Sequence, residues 1–187
     1  MSTIQVSEED RFKNNLLALC ELIQSQLVPV NEKIQQINLS GKGKKIEQVN
    51  ALTVNGAYVG VELMQGSTLV EGFIERSYSS ADKLREKGIK VPDTLWYYIK
   101  DRDENFFAEH ADGLFGGTGL FKSLFKARDV NGQSLLSDEI KDQIWTILRS
   151  LILISVKYVN RVRKTDNGFM KFVNVEQCIR DWNIKNI

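Results

Sequence analysis

Apolar residues recur at intervals of three and four along the first part of the chain, which is the spacing of an amphipathic helix. Ser7 precedes a run of acidic residues, as at a capped helix start. Because Pro29 lies inside the periodic stretch and lacks an N–H, we expect this helix to bend or break near Val28. The periodic apolar positions are Phe12, Leu16, Leu19, Ile23, Leu27, Val30, Ile34 and Ile37.

A second periodic stretch follows the polar connector Leu39 to Lys45 and predicts another long helix, with Gly88 as its C-cap glycine. An alternative is a β-hairpin over residues 52–63, because Asn55-Gly56 is a favoured turn pair between β-branched residues. The unbroken spacing on both sides favours the helix. The periodic positions, which we call the seam, are Val49, Leu52, Gly56, Val59, Leu63, Gly66, Val70, Phe73, Ser77, Ser80 and Leu84.

The second half of the chain predicts shorter helices around one central helix. The central helix, Ser137 to Lys164, has acidic residues at its start, basic residues at its end and a middle that is apolar on nearly every side. A third helix is expected after Pro92, with Leu95, Trp96, Ile99, Phe106 and Phe107 facing inward. A final amphipathic piece places Val175, Cys178, Ile179 and Trp182 on one face.

Apart from the possible hairpin, no segment alternates convincingly between apolar and polar residues, so the prediction is an all-α fold. We expect a long helical hairpin over residues 7–87, packed with three or four further helices from residues 93–187. The 187 residues are enough for one bundle-like domain, residues 1–187, that needs no disulfide or metal to stay folded.

Charge and composition restrict the partners and the compartment. The 25 basic and 24 acidic side chains nearly cancel, so no global field attracts nucleic acid or a membrane. The longest uncharged run, Gln48 to Val61, is shorter than the roughly 20 apolar residues of a membrane span. No secretory signal is visible, and Cys20 and Cys178 lie in apolar helical contexts. We therefore expect a soluble, intracellular, cytoplasmic protein.

The glycine-rich stretch from Ala111 to Phe125, "ADGLFGGTGLFKSLF", is a candidate phosphate loop. A P-loop needs glycine directly before its lysine and a strand before the loop, but Phe121 precedes Lys122 and the preceding segment is helical. We therefore interpret the stretch as a connector whose Leu114 and Phe115 pack into the core.

Catalytic and metal signatures are weak throughout the sequence. His110 is the only histidine, and no Gly-x-Ser-x-Gly motif supplies a nucleophile. Asp101, Asp103 and Asn105 resemble a calcium loop, but Phe106 occupies the position that requires glycine. We expect no cofactor and no metal, although carboxylates distant in sequence could still converge into an active site.

Two basic clusters remain as candidate contact sites for anions. Lys42, Lys44 and Lys45 in the first connector could bind an anion or nucleic acid, although no aromatic residue is interleaved with them for base stacking. The cluster of Arg161, Arg163 and Lys164 is explained by the polarity of the central helix.

The run from Ile99 to Asn160 resembles small helical proteins encoded by large double-stranded DNA viruses. The resemblance rests on two segments: "IKDRDENFF", an aromatic and acidic helix, and "LSDEIKDQIWTILRSLILISVKYVN", a serine-capped helix with tryptophan and a Lys-Tyr end. The run covers about a third of the chain and includes no catalytic signature. The resemblance implies a viral origin, in the host cytoplasm or the virion, and assigns no functional residue.

Taken together, these features predict a non-enzymatic helical protein that mediates protein–protein interaction in an assembly or regulatory complex, through a protein partner or self-association. The alternatives are a nucleic-acid-associated protein that uses the lysine connector and an enzyme with an undetected carboxylate site. An exposed apolar seam would favour the first function. Basic side chains clustered on one face would favour the second, and converging buried carboxylates the third.

Overall fold

The computed structural model describes residues 6–41, 45–115, 120–166 and 168–185. These residues form eight α-helices, a turn of 3-10 helix at Ala111–Gly113 and no strand, which confirms the all-α prediction. The helices are α1 (Glu8–Leu39), α2 (Ala51–Leu63), α3 (Gly66–Glu86), α4 (Trp96–Lys100), α5 (Glu104–His110), α6 (Leu120–Lys126), α7 (Asp138–Val162) and α8 (Val175–Asp181).

Helix α1 begins as predicted and continues through Pro29 without a break. The Ser7 side chain accepts a hydrogen bond from the Asp10 backbone N–H at 3.1 Å, so the N-terminus is capped. Pro29 removes the bond to the Ser25 carbonyl, but both residues are exposed and water can satisfy that carbonyl. The prediction of a break was wrong because the buried apolar face on either side, including Leu27 and Val30, holds the two halves together.

The second periodic stretch forms two helices rather than the single long helix that its spacing predicts. Residues 52–63 lie within α2, so the helix was the right choice over the hairpin. The chain then breaks at Met64 and Gln65 before α3 begins. Lys13 Nζ donates to the carbonyls of Glu62 and Met64, at 2.7 and 3.0 Å, and ties the break to α1.

An extended segment over residues 45–50 determines the orientation of α2 relative to α1. Asn38 pairs with the backbone of Ile46 through both its amide nitrogen and its carbonyl oxygen, each at 2.9 Å. Asn31 pairs with the backbone of Val49 in the same way, at 2.9 and 2.8 Å. These four bonds satisfy backbone groups that no helix uses, and they set α2 antiparallel to α1.

Helix α3 ends in the predicted glycine cap. Gly88 has a φ of +79°, and its N–H bonds to the Arg85 carbonyl while the N–H of Ile89 bonds to the Leu84 carbonyl, both at 2.9 Å. These are the two bonds of a Schellman motif, and only glycine enters this conformation without steric cost.

The segment after Pro92 forms two short helices where one was predicted. Arg102, with a φ of +51°, interrupts it between α4 and α5. Leu95, Trp96 and Ile99 are buried as expected and Phe106 is half-buried, whereas the side chain of Phe107 lies outside the described part of the structure.

Helix α7 confirms the predicted central helix, and it runs antiparallel to α1. Arg161 bonds to Glu8 at 2.9 Å near one end of the pair, and Lys33 Nζ lies 3.5 Å from the Leu135 carbonyl near the other. Val175, Cys178 and Trp182 at the end of the chain are buried, and α8 packs on α7. Among the helices that the structure describes, none has the length and hydropathy needed to cross a membrane.

Candidate protein-binding surface on helix α2

The seam is buried in α3 and exposed in α2. Val70, Phe73 and Ser77 are at most 1% exposed in α3. In α2, Leu52 is 78% exposed, Val59 is 50% exposed and Leu63 is 81% exposed. One continuous sequence pattern therefore produces both a core face and a surface stripe. We call Leu52, Gly56, Val59 and Leu63 the outer stripe of α2.

The exposure follows from the face that α2 turns toward α1. Val54 is fully buried, and Ala57, Tyr58 and Val61 are half-buried. Because an α-helix has about 3.6 residues per turn, Val54 lies on the side opposite Leu52. The asparagine bonds of the extended segment set this rotation, and Gln24 Nε2 supports it by donating to Asn55 Oδ1 at 2.7 Å.

Two glycines on the outer side of α2 carry no side chain, so the helix backbone is accessible there. A Cβ placed on Gly56 or Gly60 would have no atom of the folded chain within 4 Å. Each glycine costs about 0.8–1 kcal/mol of helix stability relative to alanine. By contrast, a Cβ on Gly66 would lie 2.6 Å from the Glu9 carbonyl oxygen, so that glycine serves the packing of this chain. The structure gives Gly56 and Gly60 no such role.

The chemistry of the outer stripe is apolar. Glu62 is the one charged residue within α2. On α1, Val28 is 64% exposed and lies between Gln24 and Asn31 in sequence. Gln24 bonds to Asn55 and Asn31 bonds to Val49. These two partners lie on either side of Leu52 in sequence. Antiparallel pairing places Val28 at the level of Leu52. Val28 therefore adds an exposed apolar side chain on α1 near the start of α2, and exposed apolar surface is a mark of interaction sites.

The basic clusters that the sequence singled out do not gather into one site in the described residues. Lys45 is exposed on the extended segment, whereas Lys42 and Lys44 lie outside the described residues. Arg161 bonds to Glu8 and Glu9, at 2.9 and 2.5 Å. Arg163 pairs with Glu176 at 2.8 Å, so two of the three basic residues at the end of α7 are used in internal ion pairs.

A cavity of about 410 Å³ beside α8 is lined by several titratable groups, among them Tyr97, Cys178 and Asp181. Tyr97 donates to Asp181 Oδ2 at 2.6 Å, and this bond lowers the pKa of Asp181. Burial, followed by that bond, raises the pKa of Tyr97. Burial also raises the pKa of the Cys178 thiol to about 11, so it is protonated at neutral pH. Tyr97 and Asp181 are therefore paired with each other, and the protonated Cys178 thiol is not an activated nucleophile.

The glycine-rich stretch acts as a connector where it is described. Leu114 is 1% exposed and Phe115 is half-buried, as predicted. The Leu114 carbonyl accepts a bond from Arg76 Nε at 3.0 Å. Residues 116–119, with three of its glycines, lie outside the described residues. His110 is partly buried at the end of α5, and burial lowers its pKa.

Comparison with protein-family models, curated proteins and solved structures finds no match to this chain. The resemblance to viral helical proteins stays a prediction, and the case for a function rests on surface chemistry. Within the described residues, histidine, cysteine and carboxylate side chains form no group of three that could hold a metal ion.

Proposed function

We propose that this protein binds a partner protein through the outer stripe of α2, which accepts an apolar face of a partner helix. The observation that carries the proposal is the exposure of Leu52, Val59 and Leu63 along one side of a helix that has a single charged residue. A helix laid into an apolar surface is a recurrent mode of peptide recognition, read at intervals of three, four and seven residues.

The glycines favour a helix as the occupant. The distance between two packed helix axes, typically about 8–10 Å, depends on the side chains at the contact. Gly56 and Gly60 place no side chain there, so a partner helix can approach closely along their side of α2. A role in an assembly or regulatory complex fits such a surface, because a partner chain would cover the stripe.

The test begins with a photo-crosslinking amino acid at position 59 and, as a control, at position 130. Val130 is 52% exposed and lies in the turn after Arg128, outside α2. A partner captured at position 59 and not at position 130 is then purified for binding measurements. We expect Val59→Glu to weaken its binding at least about 10-fold, as loss of a buried apolar contact does. Val130→Glu should leave binding unchanged.

Sedimentation of the purified protein separates self-association from binding of another protein. A dimer that Val59→Glu dissociates, with the circular dichroism spectrum unchanged, would identify a second copy of this chain as the partner. A partner whose affinity is the same for the unchanged protein and for Val59→Glu and Leu63→Glu would show that the outer stripe is not the binding surface.

A further inference from the structure

A cleft between α1, α7 and the residues after α8 is lined by four basic side chains. Its volume is about 420 Å³, and its basic residues are Arg11, Arg149, Lys157 and Lys185. Among the described residues that line it, none is acidic. Arginine and lysine side chains are protonated at neutral pH, so four positive charges meet at one cleft in a chain whose net charge is +1.

Within the part of the chain that the structure describes, none of these four side chains forms an ion pair with a carboxylate. The ion pairs among the described residues use other basic side chains, such as Arg85, Arg102, Lys126 and Arg161. Like charges held near one another repel, and a fold gains nothing from gathering them without a counter-charge. The cleft is therefore complementary to an anion from outside the chain.

Arg149 is held in place for such a contact. Its guanidinium carbon lies 5.4 Å from the ring centroid of Trp182, whose side chain is 2% exposed. The ring orients the guanidinium while the N–H groups of Arg149 stay available, because a cation–π contact uses none of them as hydrogen-bond donors. Asn15 and Asn183 add amide groups to the lining, whereas the Ser150 hydroxyl donates to the Thr146 carbonyl at 3.0 Å.

The spacing of the charges indicates several phosphate groups rather than one. Arg149 and Lys157 lie eight residues apart on α7, which is about 12 Å along the helix axis. Arg11 and Lys185 reach the cleft from two other elements. A nucleic-acid backbone presents phosphates in series, whereas a singly phosphorylated peptide presents one. Because Trp182 is buried, the cleft offers no exposed tryptophan face on which a base could stack.

We propose that this cleft binds the phosphate backbone of nucleic acid without reading its sequence. Lysine, arginine and amide side chains are common phosphate contacts, and they fix position without specifying bases. The site is separate from the lysine connector and from the outer stripe of α2, so it does not depend on the protein-binding proposal.

The test measures fluorescence anisotropy of a labelled, mixed-sequence DNA duplex over a series of salt concentrations. With four phosphate contacts, log K should fall against log salt with a slope of about −3.6. Arg11→Gln with Lys185→Gln should reduce the slope by about 2 and weaken binding at least about 10-fold at low salt. Both side chains are exposed, and a thermal melt checks that the double variant is folded.

Two further variants locate the site. Arg149→Lys keeps the charge and should keep the slope, whereas Arg149→Gln should reduce the slope by about 1. Changing Lys42, Lys44 and Lys45 together to Gln removes three charges from the connector, and we expect binding to be unchanged.

Three results would overturn the proposal. The first is absence of duplex binding at low salt, and the second is loss of binding in the connector variant with retention in the cleft variant. The third is cleft-dependent binding of a phosphopeptide by a protein that does not bind the duplex.

Discussion

The indole Nε1 of Trp96 donates a hydrogen bond to Ser77 Oγ at 2.8 Å, and both residues are fully buried. Ser77 Oγ donates in turn to the Phe73 carbonyl at 2.7 Å, and the Ser77 carbonyl accepts from the Leu95 N–H at 3.2 Å. One small polar residue thus joins α3 to the start of α4. A buried indole N–H needs such a partner, because leaving it unpaired costs the full penalty of desolvation.

Ser77→Ala should therefore destabilise the protein by about 1–3 kcal/mol, because it removes the acceptor for the Trp96 indole. Urea unfolding monitored by tryptophan fluorescence measures the loss. Ser79→Ala is the matched control, since Ser79 is exposed on the same helix and should change the midpoint little. Equal midpoints for the two variants would show that the bond contributes nothing to stability.

Leu151→Asp should cost several kcal/mol, among the largest losses that a single substitution causes. Leu151 is fully buried in the middle of α7, where a carboxylate would have neither water nor a counter-charge. Gln143→Asp places the same side chain on an exposed position of α7 and should be tolerated. A thermal melt of Leu151→Asp that equals that of the unchanged protein would contradict the central position of α7.

Glu104→Gln should lower the free energy of unfolding by about 1–3 kcal/mol. Its partner Lys141 is buried in α7, with Nζ 2.9 Å from Glu104 Oε2, and would lose its counter-ion. The double variant Glu104→Gln, Lys141→Met removes both charges and should recover most of the loss. Chemical denaturation of the two variants gives the comparison, and a double variant weaker than the single one would contradict this account.

Gly66→Ala should destabilise the protein, whereas Gly60→Ala should stabilise it by about 0.5–1 kcal/mol. The new methyl group at position 66 would meet the Glu9 backbone, which cannot move without shifting α1. At position 60 nothing lies within 4 Å of the methyl, so only the gain in helix propensity remains. Urea midpoints that move in the same direction for both variants would rule out the packing explanation.

The folded protein should release its tyrosine protons at higher pH than the unfolded chain does. The pKa of each of the five tyrosines, Tyr58, Tyr78, Tyr97, Tyr98 and Tyr158, is raised, with burial the largest cause. Unfolded tyrosine has a pKa of about 10, so the folded state binds more protons above that pH. The contribution of these tyrosines to the free energy of unfolding is therefore fully present below pH about 10 and is lost as the pH rises further.

Ultraviolet absorbance of the phenolate, recorded with and without denaturant, measures this titration. Tyr97→Phe should remove one of the protons that the folded protein releases at higher pH than the unfolded chain does. Identical curves for the folded and the unfolded chain would contradict the burial of these rings.

The sequence alone was sufficient to predict the helices whose capping and periodicity signals lie close together in the chain. The serine cap and apolar face of α7, the cap of α1 and the glycine end of α3 all depend on residues within a few positions of one another. The break at Met64 was not predictable in this way. It depends on Lys13 and Glu9, which approach from a helix about fifty residues earlier.

The exposure of the outer stripe of α2 likewise could not be predicted from local sequence. The seam was visible as a pattern, but periodicity states only that one face is apolar and not what covers it. The bonds from Asn31 and Asn38 to the extended segment decide the rotation of α2, and no local signal marks those asparagines. The sequence did not predict the basic cleft, because its charges come from three distant parts of the chain. They belong to Arg11, Arg149, Lys157 and Lys185.

The pairing of α1 with α7 affects the order in which a nascent chain can fold. Glu8 meets Arg161 across 153 positions of sequence, so the face of α1 that α7 covers stays open while most of the chain is synthesised. At about 5–20 residues per second, the roughly one hundred residues from the end of α2 to the end of α7 take about 5–20 s. We expect a ribosome-stalled chain that ends before residue 138 to be cleaved quickly by protease, and the full 187-residue chain, held clear of the ribosome by an added C-terminal linker, to resist. Until α7 emerges, the α1–α2 hairpin presents apolar surface to the chaperones near the ribosome.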